Sequence, residues 1–307
     1  MNALRTLAFA ACAMLAPCAA RAWDPAGHMI IDQIAWEQMT PAVRTRADDL
    51  VKTLDSRFNA GQPYHFVTAG CWLDDMRGLG REYPWSKLHY IDIPWTPAGA
   101  PIQSPSAPHV VSAIEDSVKA LRDPAADSSQ RTVALGMLVH LVGDIHQPLH
   151  ATERNNDRGG NTYLISGVPF SDLGQKQLQT LHTYWDKAFR FDAVDGRILE
   201  TWTAPRVDNR PGAPGQGVIV TEARKIMAEF PRSSLPEVAE PADALRWATE
   251  SYRIACRQAY PPGDPPANTE VRPLTPEFVH ESHKIACRRL AVAGYRLAAL
   301  VNDLLGP

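Results

Sequence analysis

Sulfur can do little for this 307-residue chain. It has five cysteines, and no two stand in C-x-x-C spacing. A thiolate zinc site is therefore excluded, and any metal centre must be built from nitrogen and oxygen ligands. Positive charge is also short. Lys and Arg number 31 against 34 Asp and Glu, a formal charge of -3. Lysine and arginine alone would make this chain a poor non-specific binder of nucleic acid. Any phosphodiester substrate would need metal ions for much of the positive field. The N-x-[ST] glycosylation sequon is absent, as are internal repeats and low-complexity tracts. Past the first residues, no run is long and apolar enough to span a bilayer. Strand patterns are scarce too, with only Thr162 to Val168 reading as extended.

The first residues read as an export signal. Arg5 supplies a positive start, Leu7 to Leu15 an apolar stretch too short to cross a membrane, and Ala20-Arg21-Ala22 a small-residue cleavage site. Cleavage between Ala22 and Trp23 leaves a soluble, secreted or periplasmic protein with Trp23 first and no stable membrane association. The rival reading takes Leu15-Ala16-Pro17-Cys18 as a lipidation box, which Pro17 fits poorly. Losing Arg5 and Arg21 moves the charge from -3 to -5. Cys12 and Cys18 leave as well, so Cys71, Cys256 and Cys287 remain. In an oxidising compartment the simplest outcome is one disulfide and one free thiol, with Cys256 and Cys287 the preferred pair.

Residues 23–307 are enough for one large core, and no linker demands two domains. Helical periodicity dominates. Ile30, Ile31, Ile34, Ala35 and Met39 mark a first helix that Thr40-Pro41 ends. Further helical patterns cover Ala42 to Leu54, Val110 to Leu121, Ser129 to Gln147 and Asp172 to Phe189. Three more cover Val218 to Phe230, Pro241 to Ala259 and Pro276 to Leu305. Proline-rich loops separate them at Trp95 to Pro108, Pro205 to Gly215 and Pro261 to Pro276. The expected fold is mainly α, a single helical domain with at most a small β-hairpin.

One stretch concentrates chemistry: His140-Leu141-Val142-Gly143-Asp144-Ile145-His146-Gln147-Pro148-Leu149-His150. His140 and Asp144 are four apart and share one helix face. His146 and His150 repeat the spacing, but Pro148 between them should end or kink the helix. Such a face presents ligands to zinc, and equally it is the face of an ordinary salt-bridged helix. Four other candidates stand elsewhere: Trp23 with His28, Asp74, His89, and His182 with Asp186. Taken singly, each has a bland reading as an anchor, a solvated carboxylate beside Arg77, a hydrogen-bonded histidine or a helix salt bridge. His65, His109, His280 and His283 fit no usable spacing and read as structural.

Taken together, four ordered segments resemble one known family. They are Trp23 followed by Gly27-His28, the block Gly143 to His150, Asp157-Arg158-Gly159-Gly160-Asn161, and Leu181-His182-x-x-Trp185-Asp186. The chain is similar to the zinc-dependent nucleases of the S1/P1 type, which are secreted, mainly helical and related in architecture to bacterial zinc phospholipase C. The resemblance runs from Trp23 to Arg296-Leu297-Ala298.

That resemblance implies three zinc ions. Asp74, His89, His140 and Asp144 would hold one. Trp23, through its α-amino group and carbonyl oxygen, would hold a close neighbour with His28 and Asp144, the last bridging the pair. His150, His182 and Asp186 would hold the third, leaving open positions for water and phosphate. Zinc lowers the pKa of water toward ~7, so hydroxide is available near neutral pH, with Asp74 orienting it or accepting its proton. His146 would support the ligand segment without binding metal. Tyr90 would stack a base and Asp92 would hydrogen-bond its edge. The lysine expected five residues after Asp92 falls on Pro97, and the glycine expected after the tryptophan is replaced by Asp24-Pro25.

The implied activity is a single-strand-preferring nuclease for DNA and RNA, yielding 5′-phosphorylated products, with 3′-nucleotidase activity. The nearest rival is a zinc phospholipase C, but Asp186 stands where that pattern carries glutamate, and Tyr90 and Gly159-Gly160-Asn161 favour the nuclease. A non-catalytic metal-binding or periplasmic binding protein is the rival from another class. The three-ligand third site, with room for substrate, weighs against it.

Overall fold

Proline at the first turn, behind an oxygen-bearing cap, starts three of the principal helices. Helix α1 (Pro25–Gln38) is capped by Asp24, α2 (Pro41–Val51) by Thr40, and the long C-terminal helix Pro276–Leu305 by Thr275. Proline gives up no hydrogen bond at that position, and each cap oxygen accepts one of the otherwise unpaired N–H groups. The structure, a computed structural model, describes residues 23–96, 101–171, 179–202, 216–263 and 270–306. The expected signal segment and its cleavage site, the loop Pro205 to Gly215, and Pro97 lie outside the described residues.

Two helices are buried on every side where they meet the site. In α1 every residue from Ala26 to Ala35 is buried, and the C-terminal helix packs along it. Burying each of Ile30, Ile31 and Ile34 contributes about 1.5–3 kcal/mol. Short helices α3 (Phe66–Ala69) and α4 (Trp72–Asp75) follow. Next come α5 (Val110–Arg122) and α6 (Ser128–Asp144), which pack on each other. Asp127 and Gln130 form a capping box at the start of α6, and its last turns from Leu138 to Asp144 are buried throughout.

Helix α6 stops at Asp144, three residues before the expected end at Gln147. A residue preceding proline is driven out of helical conformation, and Gln147 has ψ 121°. Pro148–Ala151 then forms a single 3-10 turn, with the Gln147 side chain accepting from Leu149 N at 2.6 Å. The helix expected over Asp172 to Phe189 shrinks to α7 (Leu181–Trp185), capped by Thr180; residues 172–178 lie outside the described set. Helix α8 is Gln216–Glu229. Helix α9 is Ala244–Ile254, starting three residues after the expected Pro241 behind the Asp243 cap, and the end of its expected range becomes a π turn, Ala255–Ala259. The C-terminal helix is α10.

The fold is mainly α, with five short strands among the described residues. Strand β1 (Leu164–Ser166) falls within the expected extended segment. It pairs antiparallel with β2 (Gln179–Thr180) and parallel with β5 (Val271–Pro273). Strands β3 (Phe191–Val194) and β4 (Arg197–Glu200) form a hairpin in a stretch that carries no expected element. Its turn is Asp195-Gly196, at φ 51° and 71°, the Asp-Gly signature of a tight hairpin.

The expected Cys256–Cys287 disulfide is not formed, and all three remaining cysteines are free. Each of that pair faces its own chain segment. Cys287 Sγ lies 3.7 Å from His283 Nε2 one turn back, and Cys256 interacts with Tyr252, also four residues back. No helix among the described residues is long and apolar enough to cross a membrane.

Candidate metal centre and substrate cleft

Buried imidazoles and carboxylates converge where α1, α4, α6 and α7 meet. Three groups have ligand atoms within 4.8 Å of one another: His28, His140 and Asp144; Asp74, His89 and His140; and His150, His182 and Asp186. The first two share His140. The rings of His28 and His140 stack at 4.1 Å.

Asp144 faces both of the joined groups. Its Oδ1 lies 3.4 Å from His28 Nε2, while Oδ2 lies 2.9 Å from His89 Nδ1 and 3.1 Å from His140 Nε2. One carboxylate thus turns one oxygen to each side. Asp74 Oδ1 stands farther out, 3.9 Å from His89 Nδ1, and accepts from Arg77 Nε at 2.6 Å.

The ring nitrogens are assigned by what lies behind them. Nδ1 of His140 donates to the Gly70 carbonyl at 2.5 Å, that of His150 to the His89 carbonyl at 2.7 Å, and that of His182 to the Gly159 carbonyl at 2.6 Å. Each bond fixes the tautomer and leaves an Nε2 lone pair for the site. His89 is reversed, with Nε2 engaged by the Tyr83 hydroxyl at 2.5 Å and Nδ1 facing the site. At the third group, Gln147 Nε2 donates to Asp186 Oδ1 at 2.8 Å.

Metal fits these residues on independent grounds. His28 Nδ1 and Nε2 and Asp144 Oδ1 are buried with no hydrogen-bond partner. Leaving a buried polar atom unsatisfied costs roughly 1–3 kcal/mol, and a cation between His28 Nε2 and Asp144 Oδ1 removes that cost at those two atoms. Burial pushes the His28 and His89 rings well below the usual histidine range, with the charge of His140 adding to it. They are therefore neutral, the form that binds metal. Burial likewise raises Asp144 to about 6, against the pull of His140, and holds Asp186 well above the carboxylate range. Buried carboxyls this reluctant to ionise are short of positive charge.

Trp23 is fully buried beside the joined groups, and its indole Nε1 donates to the Gly143 carbonyl at 3.0 Å. Gly143 has to be glycine, because a Cβ there would stand 2.9 Å from His28 Nδ1. The departure at Asp24-Pro25 has a structural role: Asp24 caps α1 through Gly27 N and pairs with Arg190 at 2.9 Å. His146 stands apart from all three groups. Its Nδ1 meets the Val142 carbonyl at 2.7 Å and its Nε2 meets Arg296 at 3.0 Å. Arg289 donates to its carbonyl at 3.0 Å. These bonds tie the end of α6 to α10.

A cleft opens beside the third group. Arg77, Ser86, Tyr90, Asp92, Leu149, Arg158, Asn161 and His182 line it. Tyr90 and Asp92 are both partly buried there. Burial raises the Asp92 carboxyl to about 6, with Glu153 adding and Arg158 opposing. Tyr83, Gln147 and Arg158 were not singled out from sequence. Gln147 and Arg158 lie inside the motif blocks, a usable signal; Tyr83 has none, since it reaches His89 only through the fold.

Comparison with known proteins agrees with this geometry. The model of the S1/P1 nuclease family matches residues 23–306. Nuclease P1 of Penicillium citrinum is 24% identical over 294 residues, covering 92% of this chain and 98% of its own length. Endonuclease 2 of Arabidopsis thaliana is 26% identical over 311 residues, covering 92% and 91%. Nuclease S1 of Aspergillus oryzae is 25% identical over 271 residues, covering 85% and 77%. A family match over nearly all of the described chain, on a helical fold with three His/Asp groups, leaves one conclusion: the chain belongs to the S1/P1 nuclease family.

Proposed function

We propose that this chain, cleaved to a single domain of residues 23–307, is a secreted tri-zinc phosphodiesterase. It hydrolyses single-stranded DNA and RNA to 5′-phosphorylated products and removes the phosphate of 3′-nucleotides. The observation that carries this reading is the set of three His/Asp groups, buried but for the partly buried Asp74, two of them sharing His140, with His28 and Asp144 atoms that have no hydrogen-bond partner.

Asp74, His89, His140 and Asp144 hold one zinc; Trp23, His28 and Asp144 hold its neighbour; His150, His182 and Asp186 hold the third. Zinc bound there supplies Lewis acidity, which makes hydroxide accessible near neutral pH. Asp74, oriented by Arg77, positions the attacking water and accepts its proton. Arg77 and Asn161 offer donors to phosphate oxygens in the cleft. Tyr90 stacks a base, which must be unpaired to enter, and Asp92 accepts from the base edge. His146 keeps the ligand segment in place through Val142, Arg296 and the Arg289 contact to its carbonyl.

The test is a substrate panel on the processed protein: single- and double-stranded DNA, RNA, a nucleoside 3′-monophosphate and a choline phospholipid, each with and without chelator. The reading expects hydrolysis of the single strands and the 3′-monophosphate, abolished by chelation and restored by zinc. Preferential cleavage of the phospholipid would replace it with a phospholipase reading.

A further inference from the structure

Most arginines around the site are already engaged. Arg77 is held by Asp74 at 2.6 Å, and Arg190 by Asp24 at 2.9 Å. The guanidinium of Arg154 lies over the rings of Trp95 and Tyr260 at 4.7 and 4.9 Å. Arg158 differs. It lines the cleft with Tyr90 and Asp92 and is exposed. Among the described residues its side chain makes no hydrogen bond or ion pair.

The backbone under it is unusual. Arg158 has φ 56°, followed by Gly159 at 61° and Gly160 at 80°. Glycine adopts such a conformation freely, whereas a side chain there is strained. Local bonds hold it: Asn161 Nδ2 donates to the Arg158 carbonyl at 2.8 Å, and His182 Nδ1 to the Gly159 carbonyl at 2.6 Å. A rigid turn best filled by glycine thus carries a free cation into the cleft. The charge reaches Asp92, whose rise in pKa it opposes. Arg77 is fixed by Asp74 at the metal side. The cleft is thus lined by two arginines, one held by a carboxylate and one not.

We propose that Arg158 is a substrate-positioning residue that donates to acceptor atoms of the base lying between Tyr90 and Asp92. This rests on the nuclease reading above. Asp92, once ionised, can only accept, and a guanidinium can only donate. Every nucleobase presents acceptor atoms, and most pair them with N–H donors on the same edge. Together the two side chains hold a base from both kinds of atom, without demanding one sequence.

The test compares wild type with Arg158→Ala, Arg158→Lys and Arg158→Gly as zinc-loaded mature proteins. The substrates are the four nucleoside 3′-monophosphates and ribose 3-phosphate, which lacks a base. Arg158→Ala and Arg158→Gly are expected to raise KM for the nucleotides roughly ten-fold, the scale of a hydrogen bond to a charged group, with kcat within two-fold. Lysine should recover part of the loss. On ribose 3-phosphate all four proteins should share one kcat/KM. Arg158→Gly should melt at or above the wild-type temperature, because it relieves the backbone. Unchanged nucleotide KM values overturn the proposal, as does an equal rise on ribose 3-phosphate, which would assign the charge to the phosphate. A fall in melting temperature for both truncations would mark a structural role and overturn it too. A wild type that hydrolyses none of these substrates overturns the 3′-nucleotidase part of the reading above.

Discussion

The indole of Trp23 donates to the carbonyl oxygen of Gly143, the residue before Asp144, across 120 positions of sequence. This bond fastens the first residue after the expected cleavage site beside the shared carboxylate. The α-amino group can serve as a ligand only if nothing precedes it. A protein that retains residues before Trp23 should therefore carry fewer than three zinc ions per chain and lose most of its activity. Metal analysis of cleaved and uncleaved protein checks this. Full activity with three zincs in the uncleaved form would refute the N-terminal ligation.

Tyr83 sets the direction of His89. Its hydroxyl meets Nε2 at 2.5 Å, turning Nδ1 toward Asp144 and His140. Tyr83→Phe keeps the packed ring and removes only the hydroxyl. Outer partners of ligand histidines are worth roughly 10–100-fold in metal affinity or activity. That loss should appear in zinc titration against a competing chelator, with little change in melting temperature. Unaltered zinc affinity would show that the hydroxyl does not orient the ring.

Asp92 gives a pH signature. Burial lifts its carboxyl from 3.8 to about 6, so the folded state holds the proton more tightly than the unfolded state. The stability this contributes is complete below 3.8 and is lost as pH rises through about 6. Asp92→Asn should therefore raise the melting temperature above pH 6, with the gain fading toward pH 4. Over the same range, nucleotide KM in the wild type should fall as the carboxylate forms, and Asp92→Asn should flatten that dependence. A KM profile unchanged by the substitution would remove Asp92 from base binding.

Much of this site was readable because its signals are local. His140 and Asp144 sit on one buried helix face four residues apart, and Pro148 marks where the chain turns toward the third group. The long helices announced themselves through apolar periodicity and proline-led starts. What the sequence hid depends on partners that only the fold brings to each ring. The Gly70 carbonyl behind His140 and Arg296 behind His146 are 70 and 150 positions away, and Tyr83, six before His89, follows no ligand spacing. The β3–β4 hairpin lies outside every segment that periodicity picks out, and the Asp195-Gly196 turn alone does not set the bounds of its strands. The disulfide expectation failed because an odd cysteine count says nothing about where each thiol points.

The most direct measurement is zinc content against activity on the mature protein. Metal is removed exhaustively and restored in steps while hydrolysis of single-stranded DNA is followed. The account predicts three zinc ions per chain at full activity and none of that activity in the metal-free protein. Full hydrolysis by the stripped protein, or saturation of activity with a single ion, would contradict it.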